Sequence, residues 1–402
     1  MTRVLVVDDS GFMRTVIGNA LTGAGYEVET ATNGSEAIEA VAAYDPDVVT
    51  MDVEMPELGG IDAVERIMAT NPTLILMLSV HTEEGTEATL DALERGAVDF
   101  LHKPDGADER TVTDLTDDVV AKVDELADAN VSSIALARAS ASAYATRSNQ
   151  EAAAGRAVAG SGNDTQVGSG GGPQASPDGP AVGPRAAAGT EIGDFPPVDL
   201  EGEYAADPVV VLGASTGGPK IVERLFERLP VELDAKVLVV QHMPAGFTER
   251  FADRLDTRSE YDVREATDGE SIHPGEAVIA PGDAHLEALS NVNGRLRVRL
   301  DDGERLHGVR PAIDVTMRTA AERVDDPLCG VVLTGMGRDG ADGIEAIHAA
   351  GGRTIAQDEA TSPVFGIPCQ AIQTGCVDDI APAPELVAAI VDAFDTDGET
   401  DD

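Results

Sequence analysis

Residues 4–14 read VLVVDDSGFMR and residues 48–64 read VVTMDVEMPELGGIDAV, and in each a short apolar run ends in aspartate. An amphipathic stretch follows each run, which is the pattern of a buried strand that leads through a loop into a helix. The same alternation continues to residue 122, with strands predicted at Arg3–Val7, Glu27–Thr30, Asp47–Met51, Thr73–Ser79 and Val98–Leu101. Five strand–helix units of this length predict an α/β domain with a doubly wound parallel sheet.

Acidic and phosphate-binding residue types stand where these predicted strands end, namely Asp8, Asp9, Asp52, Ser79 and Lys103. The carboxyl ends of parallel strands meet in one crevice. Three carboxylates there repel one another unless a divalent cation bridges them, and oxygen ligands suit Mg²⁺. A hydroxyl and an ammonium beside them suit phosphoryl oxygens, so the set predicts phosphoryl transfer to a carboxylate. Acidic loops on an acidic protein are the alternative for any one of these residues taken alone.

These motifs, with LMLSVHT at residues 76–82 and DFLHKPDG at residues 99–106, resemble the receiver domain of two-component response regulators. The resemblance covers residues 1–122 and implies a flavodoxin-like fold that is phosphorylated on Asp52. It implies that the Mg²⁺ ligands are carboxylates and one backbone carbonyl, from Asp8, Asp9, Asp52 and Glu54. It also implies that Ser79 and Lys103 sense the phosphoryl group.

The composition changes after this first domain. Residues 123–145 continue a helical pattern, whereas residues 146–206 are rich in Gly, Ala, Ser and Pro and have no apolar periodicity. This composition predicts a flexible linker, because structureless loops of such length are uncommon inside a compact domain. A second domain is predicted over residues 207–394, followed by an acidic tail at residues 395–402.

The second domain also has the pattern of a doubly wound α/β sheet. Its buried strands are predicted at Val209–Leu212, Lys236–Gln241, Ala277–Ala280 and Gly330–Thr334, and a β-hairpin at His285–Ser290 and Arg295–Leu300. GASTGG at residues 213–218 lies between a strand and a helix, which is the context of a G-x-S-x-G nucleophile elbow. The alternative for this motif alone is a phosphate-binding turn of a nucleotide-binding domain.

Ser215, His242 and Asp339 each follow a predicted parallel strand, so all three can reach one cleft. A serine hydroxyl needs a base to become a nucleophile, and the imidazole needs a carboxylate that fixes its tautomer. The set predicts a serine hydrolase whose chain order differs from that of α/β-hydrolases. Two other candidates are predicted to be structural. His285 is expected to serve packing, with a place at the border of the cleft as the alternative, and Cys369 is expected to be a buried small hydrophobe.

Six motifs of the second domain resemble the catalytic domain of CheB-type chemotaxis methylesterases: GASTGGP, QHMP, IAPGD, RPAIDV, LTGMGRDGADG and AQDEATSPVFGIP. A receiver placed ahead is that family's domain order. The resemblance implies hydrolysis of glutamate γ-methyl esters on chemoreceptor helices with release of methanol, and deamidation of receptor glutamines in many members. It implies Ser215 as nucleophile, His242 as general base and acid, and Asp339 as the orienting carboxylate. Backbone N–H groups at Thr216 and Met336 are the expected oxyanion donors.

The resemblance also implies partners, a cofactor and a form of regulation. A chemotaxis histidine kinase would donate the phosphoryl group, Mg²⁺ would bind in the receiver, and the catalytic domain would need no cofactor. An unphosphorylated receiver would cover the catalytic cleft, although a linker of about 60 residues is expected to weaken that cover. A receiver-regulated binding module without chemistry is the main alternative for the second domain.

The charge of the chain excludes several function classes. With 28 basic and 73 acidic residues the net charge is −45, which opposes binding to nucleic acid and to anionic membranes. A DNA-binding response regulator is disfavoured for the same reason. So dense a carboxylate surface is typical of a cytoplasm at molar salt, where charges are strongly screened. The chain opens directly with a strand and has no apolar run of membrane-spanning length, so a cytoplasmic location is predicted.

Overall fold

The first domain is built around a parallel sheet whose strands alternate with helices. The computed structural model describes residues 2–80, 83–104, 111–127, 195–198, 200 and 202–396. The strands of this domain are β1 (Arg3–Val7), β2 (Glu27–Ala31), β3 (Val48–Asp52), β4 (Leu74–Val80) and β5 (Asp99–Lys103). The helices are α1 (Gly11–Gly23), α2 (Gly34–Tyr44), α3 (Gly60–Thr70), α4 (Glu83–Glu94) and α5 (Val112–Ala127).

The order of these strands places the predicted acidic residues together. The described strands form one sheet in the order β2-β1-β3-β4-β5, and every neighbouring pair is parallel. The doubly wound fold is therefore confirmed. The bounds of β2, β3, β4 and β5 differ from the prediction by one or two residues, and Asp52 and Lys103 are the last residues of β3 and β5.

The second domain contains a larger parallel sheet and a small antiparallel one. The parallel sheet consists of β6 (Val209–Ala214), β7 (Lys236–Gln241), β8 (Asp262–Glu265), β10 (Glu276–Ile279), β13 (Leu328–Val332), β14 (Arg353–Gln357) and β15 (Asp379–Ala381). The antiparallel sheet consists of β9 (Ser271–Ile272), β11 (His285–Val292) and β12 (Arg295–Asp301). The helices are α6 (Gly218–Phe226), α7 (Phe247–Asp256), α8 (Ile313–Arg323), α9 (Ala341–Ala349), α10 (Ile367–Gln373) and α11 (Leu386–Asp392).

The described strands of the larger sheet run in the order β15-β14-β13-β6-β7-β10-β8. The four predicted strands and the hairpin are confirmed. Three short or edge strands of this sheet, β8, β14 and β15, were not predicted. Because β6 lies between β13 and β7, the chain segments that follow these three strands share one edge of the sheet, where ligands bind in such folds.

The end of the predicted linker packs on the second domain. Phe195 is 5% exposed and belongs to the apolar core. Tyr204 forms a β-bridge with Asp395, and the Thr396 N–H donates to the Glu203 carbonyl at 3.0 Å. The predicted boundaries at residues 206 and 395 are corrected accordingly, because an aromatic side chain and backbone pairing hold these residues in place. Residues 128–194 and 397–402, with most of the predicted helical extension, linker and tail, lie outside the described residues.

The two domains pack against each other through apolar side chains. The Phe100 ring of β5 stacks on the Phe247 ring of α7, with 4.4 Å between centroids and 24° between planes. Buried apolar residues of both domains consequently form one continuous cluster. Among the described residues, none of the helices combines the length and the apolar character needed to span a membrane.

Candidate active site and phosphorylation site

Ser215 lies at a tight turn directly after β6. Its N–H donates to the Thr334 carbonyl at 3.0 Å, and its own carbonyl accepts from the Gly218 N–H at 2.8 Å. Gly217 has a φ of +76°, which the turn requires and which most side chains disfavour. A Cβ built on Gly335 would lie 2.6 Å from the Ser215 Cβ. Only glycine therefore lets the loop that follows β13 come this close to the serine. The turn is thus fixed by the loop after the neighbouring strand β13 and by a hydrogen bond within the turn itself.

His242 and Asp339 are in direct contact. The His242 N–H donates to the Ala214 carbonyl at 3.0 Å, which anchors the histidine beside the end of β6. Its Nε2 lies 2.9 Å from Asp339 Oδ2. A carboxylate can only accept, so Nε2 carries the proton of this contact, and Nδ1 is the ring nitrogen left for proton transfer. Among the described residues, no hydrogen bond joins Ser215 to His242, and such contacts often form only when substrate is bound.

Asp339 is held as an anion although it is buried. Burial alone would raise its pKa, but the hydrogen bond and charge of His242 and two backbone N–H groups lower the pKa below its ordinary value. Those N–H groups belong to Ile313, at 2.7 Å from Oδ2, and Asp314, at 3.0 Å from Oδ1. Both lie at the start of α8, where free N–H groups favour negative charge. A permanent carboxylate therefore faces the histidine.

Asp314 supports Asp339 from the other side. Its Oδ1 accepts from the N–H groups of Gly340 and Gly343, at 2.9 and 2.7 Å, at the start of α9. Its Oδ2 lies 2.8 Å from His307 Nε2. Asp314 was not predicted as a site residue, because it lies within a helix and not at a strand end. In the sequence, the only sign of a role for Asp314 was its position in the motif RPAIDV.

The expected oxyanion donors lie on both sides of the serine. Thr216 follows Ser215, and Met336 is in the loop after β13 that Gly335 brings close. Within the described part of the chain, neither backbone N–H donates to another protein group. Two N–H groups are thus available near the hydroxyl, although both roles stay predictions.

The acidic residues of the first domain cluster around a lysine. Lys103 Nζ lies 2.7 Å from Asp8 Oδ2 and 2.8 Å from Asp52 Oδ2. Carboxylate oxygens of Asp8, Asp9 and Asp52 lie within 4.8 Å of one another, a spacing that suits a shared divalent cation. Burial raises the pKa of Asp52 to about 6, with Lys103 opposing the shift and the other two aspartates adding to it. Ser79 is buried and Glu54 is exposed.

Both domains match known families. The response regulator receiver domain model matches residues 4–113, and the CheB methylesterase model matches residues 210–390. A protein-glutamate methylesterase/protein-glutamine glutaminase of Haloarcula marismortui is 46% identical over 398 residues, which are 98% of each chain. The chain belongs to the CheB methylesterase family. A relative of the same name from Halobacterium salinarum is 47% identical over 395 residues, which are 98% of this chain and 99% of that one.

Membership of the CheB methylesterase family confirms the predicted class, a hydrolase with a receiver domain ahead of its catalytic domain. The crystal structure of the Thermotoga maritima CheB methylesterase catalytic domain is 41% identical and covers 48% of this chain and 99% of that chain, with a TM-score of 0.44. The two archaeal relatives come from halophiles, in keeping with the acidic composition.

In this methylesterase the receiver contacts the turn that carries Ser215. Lys122 of α5 donates to the Thr216 hydroxyl, next to Ser215, and also pairs with Asp99 at 2.7 Å and Glu125 at 3.3 Å. Burial opposes the charge of Lys122, but the two carboxylates outweigh it and raise its pKa. Lys122 was not predicted as a site residue, because contacts between domains leave no periodic signal in the sequence.

Two residues outside the candidate triad, His285 and Cys369, have structural surroundings. His285 is buried, with Nε2 3.0 Å from the Glu304 carbonyl and Nδ1 accepting from the Ala312 N–H at 3.1 Å. Its structural role is therefore confirmed. Cys369 was expected to be buried and is only half-buried, because it lies on the short helix α10, where its Sγ accepts from Gln373.

Proposed function

We propose that the chain hydrolyses glutamate γ-methyl esters on chemoreceptors through a triad of Ser215, His242 and Asp339. The observation that supports this proposal most is the His242–Asp339 hydrogen bond beside a serine held at a strand–turn–helix junction. This contact fixes the imidazole ring of a residue whose backbone is bonded to Ala214, directly before the serine. A binding module would have no need for a buried carboxylate that fixes a histidine tautomer.

In the first half of the reaction, His242 Nδ1 takes the Ser215 proton while Oγ attacks the ester carbonyl. The oxyanion would be held by the N–H groups of Thr216 and Met336. As the C–O bond breaks, His242 returns the proton to the leaving methoxide, and methanol departs from an acyl-enzyme. A water molecule, deprotonated by the same nitrogen, then attacks the acyl group and releases glutamate and free Ser215.

The same groups would deamidate a glutamine side chain. The amide nitrogen takes the place of methoxide, receives the proton from His242 and leaves as ammonia. The acyl-enzyme is then identical to the one formed from the ester, so its hydrolysis also gives glutamate. Both reactions thus leave a new carboxylate on the substrate protein.

The receiver would regulate this chemistry through Asp52. Asp8, Asp9 and Asp52, with the Glu54 carbonyl, would hold Mg²⁺, which when bound neutralises charge on the incoming phosphoryl group. Ser79 and Lys103 would contact the phosphoryl oxygens, with a chemotaxis histidine kinase as donor. Phosphorylation would change Asp52, one of the two carboxylate partners of Lys103, into an acyl phosphate. A resulting rearrangement of β5 would reach Phe100 on the same strand and its contact with Phe247.

The described contacts favour a receiver that blocks the cleft until it is phosphorylated. Ser215 is 8% exposed and Thr216 is 1% exposed while Lys122 lies beside them. Both residues are thus shielded from solvent, and the receiver contacts Thr216 despite the length of chain between the domains. The substrate helices, the kinase and the enzyme would meet in the cytoplasm.

Mass spectrometry of a methylated receptor tests the proposed reaction. The full chain with a small phosphodonor and Mg²⁺ should remove methyl groups from glutamates, and Ser215→Ala under the same conditions should leave them in place. A receptor that keeps its methyl groups while it binds the phosphorylated chain would favour the binding-module alternative.

A further inference from the structure

Three cations of the catalytic domain form a patch that faces the receiver: Lys220 of α6, Arg254 of α7 and Arg258. We call these residues the cationic patch. Lys220 Nζ donates to the Glu94 carbonyl at 3.0 Å. In a chain with 28 basic and 73 acidic residues, three cations on one face are a notable concentration of positive charge.

The two arginines are held in place by Glu223, which lies on α6 of the same domain. Arg254 Nε donates to Glu223 Oε1 at 2.7 Å, and Arg258 Nη1 lies 3.4 Å from Glu223 Oε2. Burial raises the pKa of Glu223, and the two arginines oppose that shift. Glu227 adds a weaker contact to Arg258 at 3.6 Å. Side chains fixed in this way lose little conformational entropy when they bind a further carboxylate.

The carboxylate of Glu94, in the receiver, already binds to both arginines. The two Glu94 oxygens accept from Arg254 Nη2 and Arg258 Nη2, each at 2.6 Å. Asp91, three residues earlier on α4, accepts from Arg254 Nη1 at 3.2 Å. The patch therefore binds two carboxylates that lie on one face of a helix.

An aromatic ring continues the same surface. Phe247 precedes Arg254 by seven residues on α7, so both lie on one side of that helix. Phe247 is fully buried in the described structure, where the receiver ring of Phe100 stacks on it. Receiver displacement would expose an aromatic ring and an arginine on one side of the same helix, and both residue types are enriched at the centre of protein interfaces.

We propose that the cationic patch and Phe247 also dock the substrate protein, by binding carboxylates on one face of an acidic helix. The inference rests on the proposed function, because hydrolysis of esters or amides leaves carboxylates on the substrate near the remaining sites. Helix α4 of the receiver, with Asp91 and Glu94, occupies the surface in the same manner. Receiver release thus frees the docking surface together with the catalytic serine.

Two variants at one contact distinguish a patch that binds substrate from a patch that only holds the receiver in place. Glu94→Gln and Arg254→Gln break the same contact, but only Arg254→Gln removes a group that would bind substrate. Each full-length variant is phosphorylated with a small phosphodonor and Mg²⁺. The measured quantity is kcat/KM on a methylated receptor divided by kcat/KM on p-nitrophenyl acetate, a small neutral ester. Arg258→Gln serves as a second, more exposed variant in case Arg254→Gln melts at a lower temperature.

We expect this ratio to fall about tenfold in Arg254→Gln and Arg258→Gln, the effect of losing one charged hydrogen bond. Glu94→Gln should keep the wild-type ratio. Equal ratios in all variants and the wild type would overturn the docking inference alone, as would an equal fall in Glu94→Gln. A wild-type chain that hydrolyses the neutral ester but not the receptor would overturn the proposed function and this inference with it.

Discussion

Asp314, at the start of α8, and Asp339, just before α9, each accept hydrogen bonds from the start of the other residue's helix. Asp339 precedes α9 and accepts from the first two residues of α8, while Asp314 lies in the first turn of α8 and accepts from the start of α9. Each carboxylate meets N–H groups that have no partner within their own helix. This reciprocal capping fixes the position of Asp339 relative to both helices, and through it the ring of His242.

Replacement of Asp314 should affect both stability and catalysis. Asp314→Ala leaves the Gly340 and Gly343 N–H groups without their acceptor, so we expect a loss of about 2 kcal/mol in the free energy of unfolding. The kcat for a small ester should fall more than KM changes, because Asp339 loses its support. Urea denaturation and steady-state kinetics measure the two effects. Asp314→Asn, which keeps an acceptor oxygen, should lose less of each.

Asp342→Asn is the matched control, because Asp342 also lies in the first turn of α9 but pairs with Arg338, a largely exposed residue. It should have nearly wild-type stability and kcat. Equal behaviour of Asp314→Ala and Asp342→Asn would contradict a positioning role for Asp314.

The triad variants should differ in a defined order. Ser215→Ala and His242→Ala should lower kcat for ester hydrolysis on the order of 10⁴-fold, because each removes a group that takes part in proton or acyl transfer. Asp339→Asn should keep more activity, since the amide still occupies the site. Release of methanol from a methylated receptor measures the effect. A Ser215→Ala chain that retains most wild-type turnover would rule out the proposed mechanism.

Much of the site was predictable because its residues stand at strand ends. Alternating apolar runs located β1, β3, β6, β7 and β13, and the residues after these strands include Asp8, Ser215, His242 and Asp339. Asp314 was missed because its role depends on two helices that approach each other only in the fold. Lys122 and the cationic patch were missed for a related reason, since their partners lie in the other domain.

Glu125 should make the receiver contact sensitive to pH. It lies against Thr216, and burial raises its pKa above the ordinary 4.5, opposed by Lys122 and supported by Asp99. Glu125 therefore binds a proton more tightly in the docked state than in the open state. Docking should be strongest at low pH and should weaken as the pH rises above 4.5 through the raised pKa.

The measured quantity is turnover of a small ester without phosphodonor, divided by turnover of the phosphorylated chain at the same pH. This ratio cancels any effect of pH on the catalytic step itself, and it should rise with pH in the wild type. Glu125→Gln cannot ionise, so its ratio should be lower and independent of pH. A rise with pH in Glu125→Gln equal to that of the wild type would exclude Glu125 as the cause.

The acidic surface should make the fold dependent on salt. Seventy-three carboxylates against 28 cations repel one another, and at 0.1 M salt the screening length is about 10 Å. We expect a higher melting temperature in multi-molar KCl than in 0.1 M KCl. Circular dichroism melts measure it, and an equal or higher midpoint in the dilute buffer would contradict adaptation to high salt.

Covalent labelling of the serine by a fluorophosphonate tests the central claim most directly. Intact-protein and peptide mass spectrometry should show one adduct, on Ser215, that forms faster when Asp52 is phosphorylated. Phe100→Ala, which removes the ring that stacks on Phe247, should be labelled fast without phosphodonor, and Ser215→Ala should not be labelled. An adduct on another residue, or none in the phosphorylated chain, would contradict a serine hydrolase at this site.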